Sequence, residues 1–398
     1  MLFRSPQGAS GDYATAVLWL DVPAGQMAVT GGTLAPPRSE GGRTLLEYRQ
    51  DLPGKYITVA VGRLQESAGA AGAKLRGFSV PRMRSQAPAV LAHAGEMLAF
   101  FEGIFGPCPY PALNVVLMEG RTPGGHSPPG MVVMSTRPLL LRQTLRDDPA
   151  TFWDVPGFFL AHELAHQWWG QGVAGQNYHE RWISEAMAQY AAALWVRHDQ
   201  GEETFRTVMS RMARWAMRHS DQGPIHLGHR LGHLQGDPQI FRAVVYDKGA
   251  WVLHMLRELV GGAAFDRALT SIQAGHRYGK VGAEHVRAAL EKESGLNLEP
   301  YFREWIYGTA LPELRVSHRI TGTAGGFSTA VSVAPRNLPG PVLLDVAAVY
   351  SGGREEMRVI LPPEGGTFTI ATRARPRRVE VNGGATILAR IVASGSGR

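Results

Sequence analysis

The sequence has little of what would mark a compartment or a large charged partner. It carries a single cysteine, Cys108, in 398 residues, which excludes an internal disulfide and any zinc knuckle built on thiolates. A lone thiol suits a reducing compartment, yet extracytoplasmic proteins of this size also manage without disulfides, so the compartment stays open. There is no run of about 18 apolar residues, and no spanning helix is expected. The opening residues, Met1 to Gln7, lack the apolar stretch of a secretory leader. Charged residues make up 19% and hydrophobic residues 44% of the chain, a balance that excludes wholesale disorder. The net charge of +7 comes mostly from scattered arginines. No basic run interleaved with aromatics accompanies it, and no nucleic-acid partner is expected.

What is present falls into three stretches. Thr15–Leu20 and Tyr56–Val61 are rich in β-branched and aromatic residues and are separated by Gly, Pro and Ser, as strands are. From about residue 86 the apolar spacing becomes helical, with Pro88 opening a helix whose face is Val90, Leu91, Ala94, Met97, Leu98 and Phe101. Residues 113–118 and 130–134 suggest short strands around a Gly/Pro-rich turn, and 156–310 looks almost wholly helical. After Pro312 the period returns to two, with turn clusters at Gly322–Gly326, Gly352–Gly353, Pro362–Gly366 and Asn382–Gly384, the pattern of a small β-sandwich. The expected organisation is a β remnant over 1–66, a catalytic domain over 67–311, a β-sandwich over 312–392 and a tail over 393–398.

The chemistry concentrates in His162-Glu163-Leu164-Ala165-His166. Histidines four apart lie one turn apart on one helix face, where two imidazoles can share a tetrahedral metal. Glu163 between them is placed to hold a metal-bound water and take its proton, since zinc brings that proton within reach near neutral pH. The helix is apolar, flanked by Phe158, Phe159, Leu160, Trp168 and Trp169. Two histidines and a glutamate inside such a helix need a reason. A second helix at Arg181–Tyr190 offers one carboxylate, Glu185, on an apolar face. With it the set becomes His/His/Glu with an open fourth position for one Zn2+.

The stretch His162-Glu163-Leu164-Ala165-His166-Gln167-Trp168-Trp169-Gly170, followed by Trp182-Ile183-Ser184-Glu185-Ala186, resembles the gluzincin zinc aminopeptidases, the group of aminopeptidase N and the leukotriene-epoxide hydrolase. Tyr246-Asp247-Lys248-Gly249-Ala250 is similar to a second family segment, and Trp305-Ile306-Tyr307-Gly308 to a third. The resemblance implies a thermolysin-like α+β catalytic domain with a mainly helical lobe, flanked by an amino-terminal β domain and a carboxy-terminal β-sandwich. It also implies that Tyr246 donates to the oxyanion of the tetrahedral intermediate, whereas Asp247 and Lys248 are structural.

Two departures stand out. The family's aminopeptidases carry Gly-Ala-Met-Glu-Asn before the zinc helix, and its glutamate holds the free amine of the substrate. Here the matching turn is Gly124-Gly125-His126-Ser127-Pro128, so Ser127 stands at the glutamate position. The turn is expected to survive as an edge strand on which Gly124 and Gly125 pair with the substrate backbone; Glu119 is a weaker candidate for the missing carboxylate. The second departure is the amino-terminal β domain, which is shorter than in the family, as in a fragment or a reduced member.

Four histidines, His219, His226, His229 and His233, look like a polar loop near the substrate groove rather than a second metal site, because no carboxylate accompanies them at ligand spacing. Glu180 and Asp154 are possible partners of the zinc histidines. The expected function is zinc-dependent hydrolysis of peptide bonds, with removal of amino-terminal residues foremost. The alternatives are an endo- or oligopeptidase or a small-molecule hydrolase on the same site, or an inactive binding scaffold.

Overall fold

The computed structural model describes residues 2–4, 12–67, 74–110, 112–119, 124–135, 150–227, 238–309, 311–338, 340–384 and 386–393. The chain forms two compact units, Met1–Gly201 with Asp266–Ala289, and Glu202–Phe265 with Leu290–Arg398. Helices and strands are mixed in the way the family resemblance implies, with β structure at the amino end, a helical middle and a carboxy-terminal β region.

In the first unit, strand Ala14–Pro23 pairs antiparallel with Arg43–Gly54. Its alternating exposure places Val22, with Leu46 and Tyr48 opposite, in a small core. A five-stranded sheet follows, in the order Gly124–His126, Met131–Ser135, Leu113–Met118, Leu75–Ser79 and Gln65–Ser67. Its three inner strands run parallel, and both outer strands run antiparallel to their neighbours. The nearly uniform burial of Leu113–Met118 and Met131–Ser135 explains their unbroken apolar sequences, since a parallel strand is covered on both faces. Gly124–His126 lies at the edge, as expected for a strand that can accept a peptide.

Helix Ala87–Phe105 packs on this sheet through Leu91, Ala94, Met97, Phe101 and Phe105. Pro88 sits in its first turn, where no backbone N–H is needed, and Gly106 ends it at a φ of 82°. The helix Phe158–Ala165 packs in turn against Ala87–Phe105 and Trp182–Gln200. Trp168 is fully buried beneath this junction, with its ring 6.0 Å from Phe101 and 6.1 Å from Phe105, and its indole N–H donates to the Gly106 carbonyl at 2.9 Å.

The expected helical run from 156 to 310 is interrupted within this unit. Val173–Gly175 and Gly279–Val281 form a two-stranded parallel sheet. Gly170, Gly172 and Gly175 around a β-branched Val173 cannot sustain a helix, and the strand pairing satisfies the backbone instead.

The second unit contains helices Glu202–His219, Gly249–Val260 and Glu299–Trp305, together with a π-helical turn at Arg242–Lys248. Phe205, Val208, Met209, Met212 and Ala216 form the buried stripe of Glu202–His219. The remainder is a sandwich of a four-stranded sheet, which includes Glu313–Thr323 and Gly326–Arg336, and a three-stranded sheet centred on Val342–Tyr350. Leu314, Val331, Val333, Leu344 and Val346 are fully or almost fully buried in its core.

Because Trp168 fills the space beneath the helix junction, Trp168→Ala should destabilise the first unit by about 3–5 kcal/mol. The expected readout is a lower urea midpoint for the transition that unfolds this unit; an unchanged midpoint would contradict the packing described.

Candidate metal centre

The site is assembled by the helix Phe158–Ala165, the residue that follows it, and the first turn of Trp182–Gln200. His166 lies just beyond the last residue of the first helix but keeps helical angles, φ −61° and ψ −18°, so it still stands one turn from His162. The second helix presents Ala186, Ala188, Ala191, Ala192 and Ala193 among its buried residues. Small side chains let neighbouring helix axes approach closely.

His162, His166 and Glu185 converge as ligands would. The two Nε2 atoms are 3.1 Å apart, and Glu185 Oε2 is 3.4 Å from His166 Nε2 and 3.8 Å from His162 Nε2. Zinc bonds of about 2.0–2.2 Å in a tetrahedron imply ligand separations of about 3.3–3.5 Å. The three atoms bracket that value. Among the described residues these three form the one group of His, Cys, Asp and Glu arranged to hold a metal.

The outer contacts of His166 support the same role. Its Nδ1 is 3.0 Å from the Trp169 carbonyl, which can only accept, so Nδ1 carries the proton and Nε2 in the neutral ring is left with its lone pair. Ser184 Oγ lies 3.2 Å from the same Nδ1 and donates to the Trp169 carbonyl at 3.1 Å. Gly170, at a φ of 121°, makes this arrangement possible, because a Cβ there would come within 2.6 Å of Ser184 Oγ. Burial opposes a charge on His166, but the Glu185 carboxylate outweighs it and holds the histidine up at about 9 in the metal-free protein. Burial likewise opposes the Glu185 charge, and His166, His162 and Arg181 nevertheless keep that carboxyl well below its usual range.

Glu163 is buried beside the edge strand. Its Oε2 accepts a hydrogen bond from the Ser127 hydroxyl. Its carboxyl packs so close to Gly125 that any Cβ at that position would overlap it. Of the expected Gly124, Gly125 and Ser127, the last two are thus brought to the Glu163 carboxylate, and Gly124 lies on the same edge strand. Glu119 is not brought there; it follows strand Leu113–Met118, is exposed and pairs with Arg82 at 3.2 Å.

The turn after the edge strand is held from the segment that follows the metal helix. Gln167, fully buried, donates to the Pro128 and Met131 carbonyls and accepts from Gly130 N–H. Gln171 donates to the Ser127 carbonyl at 2.7 Å and to Tyr56 Oη at 3.0 Å. His126 stacks on Tyr56 with ring centres 5.5 Å apart and bonds Thr58 at 2.8 Å. Sequence reasoning passed over Ser184, Gln167, Gln171 and Tyr56. The two glutamines flanking Trp168-Trp169-Gly170 were the available signal, polar side chains in an otherwise apolar stretch.

The other candidates have different surroundings. Glu180 accepts from the Trp182 indole at 2.9 Å and from Ala283 N–H at 3.2 Å, and Asp154 is exposed. In the second unit, Tyr246 lies in the π-helical turn with its ring edge-on to Phe241 at 5.7 Å. Asp247 and Lys248 beside it are fully buried, and burial pulls the Lys248 amine down to about 8. His219 stacks on Trp215 and His226 meets Tyr307, while His229 and His233 lie outside the described residues.

One buried and one half-buried histidine and a buried carboxylate, with a second buried carboxylate on the same helix, form a donor set suited to a divalent metal. Comparison with known proteins agrees. The peptidase family M1 domain matches residues 90–305, and the chain belongs to that family. It is 27% identical over 305 residues to aminopeptidase M1-C of rice, covering 75% of this chain and 34% of that protein. It is 28% identical over 185 residues to aminopeptidase N of Streptomyces lividans, covering 46% and 21%. The chain thus spans about a third or less of the length of these relatives. In fold it is similar to Legionella pneumophila aminopeptidase A, solved in complex with aspartic acid, with a TM-score of 0.75 at 17% identity over 96% of this chain and 45% of that one. Among the described residues no helix is long and apolar enough to cross a membrane.

The raised His166 value sets how metal uptake depends on pH. Below about 9 the metal-free histidine carries a proton that a metal must displace, and above it there is none to displace. Because that proton must leave before Nε2 can bind a metal, Zn2+ affinity measured against a competing chelator, corrected for the chelator's own protonation, should rise between pH 6 and pH 8. Affinity independent of pH across this range would contradict the assignment.

Proposed function

We propose that the protein is a zinc-dependent peptidase that removes residues from the amino terminus of peptides. The observation that carries the reading is the convergence of His162, His166 and Glu185, with the Glu163 carboxylate held next to an edge strand. Zinc at this position supplies Lewis-acid polarisation of the scissile carbonyl and activation of the attacking water.

The chain's own residues do the rest. Glu163 accepts the proton of the attacking water and passes it to the leaving amine. The Ser127 hydroxyl and the absence of a side chain at Gly125 fix the direction of its carboxyl. The backbone of Gly124 and Gly125 offers edge-strand hydrogen bonds to an extended peptide, and Gln167 and Gln171 keep that edge in register with the metal helix. Tyr246 is proposed as the oxyanion donor, on the strength of the Tyr246-Asp247-Lys248-Gly249-Ala250 segment and of the π-helical turn that carries it, a feature frequent at functional sites.

A second reading has its own observation. Ser127 occupies the position of the family's amine-binding glutamate and spends its hydroxyl on Glu163, which favours a peptidase that does not require a free substrate amine.

Glu163→Gln, nearly isosteric, should lower kcat by about 10²–10⁴-fold, measured on an aminoacyl reporter; wild-type turnover would refute the assignment of the base. Comparing a peptide with its amino-acetylated form separates the two readings. A large loss on acetylation supports an aminopeptidase, and equal rates support the second reading.

A further inference from the structure

A cavity of about 190 Å³ opens in the second unit and shares no residue with the metal centre. Part of its lining is apolar, made of Met217 from helix Glu202–His219 together with Leu311 and Pro312. Met217 stays 39% exposed, so its thioether side chain has apolar surface left to cover.

The rest of the lining is mostly charged. Arg336 and Arg390 reach the cavity from strands Gly326–Arg336 and Arg390–Ala393, which flank strand Glu313–Thr323. Both lie directly across from Glu313. Cross-strand partners share a sheet face, so the two arginines stand either side of one carboxylate, with their backbones about 10 Å apart. The Arg390 N–H donates to the Pro312 carbonyl at 2.9 Å, which fixes this arginine beside the apolar residues. Glu313 is engaged elsewhere, since it accepts from Arg315 at 3.0 Å along its own strand. Among the described residues no acidic side chain pairs with Arg336 or Arg390.

Arg214 adds to the imbalance. It precedes Met217 by three residues, which places it on the same helix face. It is exposed and likewise has no acidic partner among the described residues.

Glu313 and Arg315 cancel, which leaves the charges of Arg214, Arg336 and Arg390 in excess around a space with an apolar side. Like charges gathered in this way repel one another, and a bound anion relieves the repulsion. The excess suits a dianion better than a single carboxylate. A phosphate monoester carries about −1.5 to −2 at pH 7 and offers three oxygens to planar guanidinium forks. The volume falls short of the roughly 300–1,000 Å³ of sites for drug-sized ligands, so the ligand is compact. The apolar residues suit a short hydrocarbon body attached to the phosphate.

We propose that Arg336 and Arg390, with Arg214 at the rim, bind a small organic phosphate monoester whose hydrocarbon part rests on Met217, Leu311 and Pro312. The site stands apart from the peptidase reading, because none of these residues belongs to the metal centre.

Calorimetric titration of the whole chain, incubated with zinc and kept at low salt, tests this with three probes: n-butyl phosphate, inorganic phosphate and butanoate. Butyl phosphate should bind saturably, one per chain, and about tenfold tighter than either of the others. Arg336→Gln and Arg390→Gln should each weaken it by about tenfold. Arg336→Lys keeps the charge but not the fork, and should recover part of the loss. Met217→Ser should bring butyl phosphate towards inorganic phosphate while leaving the latter unchanged. Circular dichroism and zinc content confirm that the variants fold. Phosphate held by the metal centre instead would bind Arg336→Gln and Arg390→Gln as tightly as the wild type, and that result overturns the site. Absence of saturable binding of butyl phosphate, or equal affinity for it and either other probe, overturns it too.

Discussion

Everything around the centre follows from placing two imidazoles and a carboxylate inside an apolar helix pair. His162 and Glu185 are 4% and 7% exposed, so water does not solvate them. Burying such groups is costly unless a charge of opposite sign is shared among them. In the metal-free protein a proton on His166 fills that need, and a divalent cation fills it better, with ligand separations already close to those of a tetrahedral zinc site. The remaining structure keeps this geometry from relaxing. The alanines of Trp182–Gln200 permit the close helix approach, Trp168 fills the space beneath, and Ser184 with the Trp169 carbonyl holds His166 in the orientation that frees Nε2.

The same segment that ends the metal helix also fixes the substrate edge. Gln167 and Gln171 reach back to the turn at Ser127–Met131 and tie the edge strand to the segment that follows the helix Phe158–Ala165. Gly125 sits so close to Glu163 that a larger residue would displace its carboxyl. Ser127 completes the contact. In the resembling aminopeptidases this position recognises the substrate amine; here its hydroxyl donates to the Glu163 carboxylate. That replacement is compatible with membership of peptidase family M1, whose matching domain covers residues 90–305, because Ser127 lies outside the His162, His166 and Glu185 cluster.

The His162, His166 and Glu185 cluster was legible in the sequence because its spacing is local. A four-residue step on a helix and a lone carboxylate on the next helix need no tertiary information to be noticed. The strands 113–118 and 130–134, the helix opened by Pro88 and the carboxy-terminal sandwich were legible for the same reason, since each has its own period. The strand pair Val173–Gly175 with Gly279–Val281 was not, because each partner is three residues long and the pairing spans a hundred residues. Ser127 was noticed as a substitution, but its bond to Glu163 depends on how the edge strand meets the helix.

The central claim is that His162, His166 and Glu185 bind one zinc ion while Glu163 stands beside it without holding it. Elemental analysis of the purified wild type, Glu185→Gln and Glu163→Gln tests this directly. The account predicts one zinc per chain in the wild type and in Glu163→Gln, and loss of most of the metal in Glu185→Gln. Zinc retained in full by Glu185→Gln, or absent from the wild type after incubation with the metal, would contradict it.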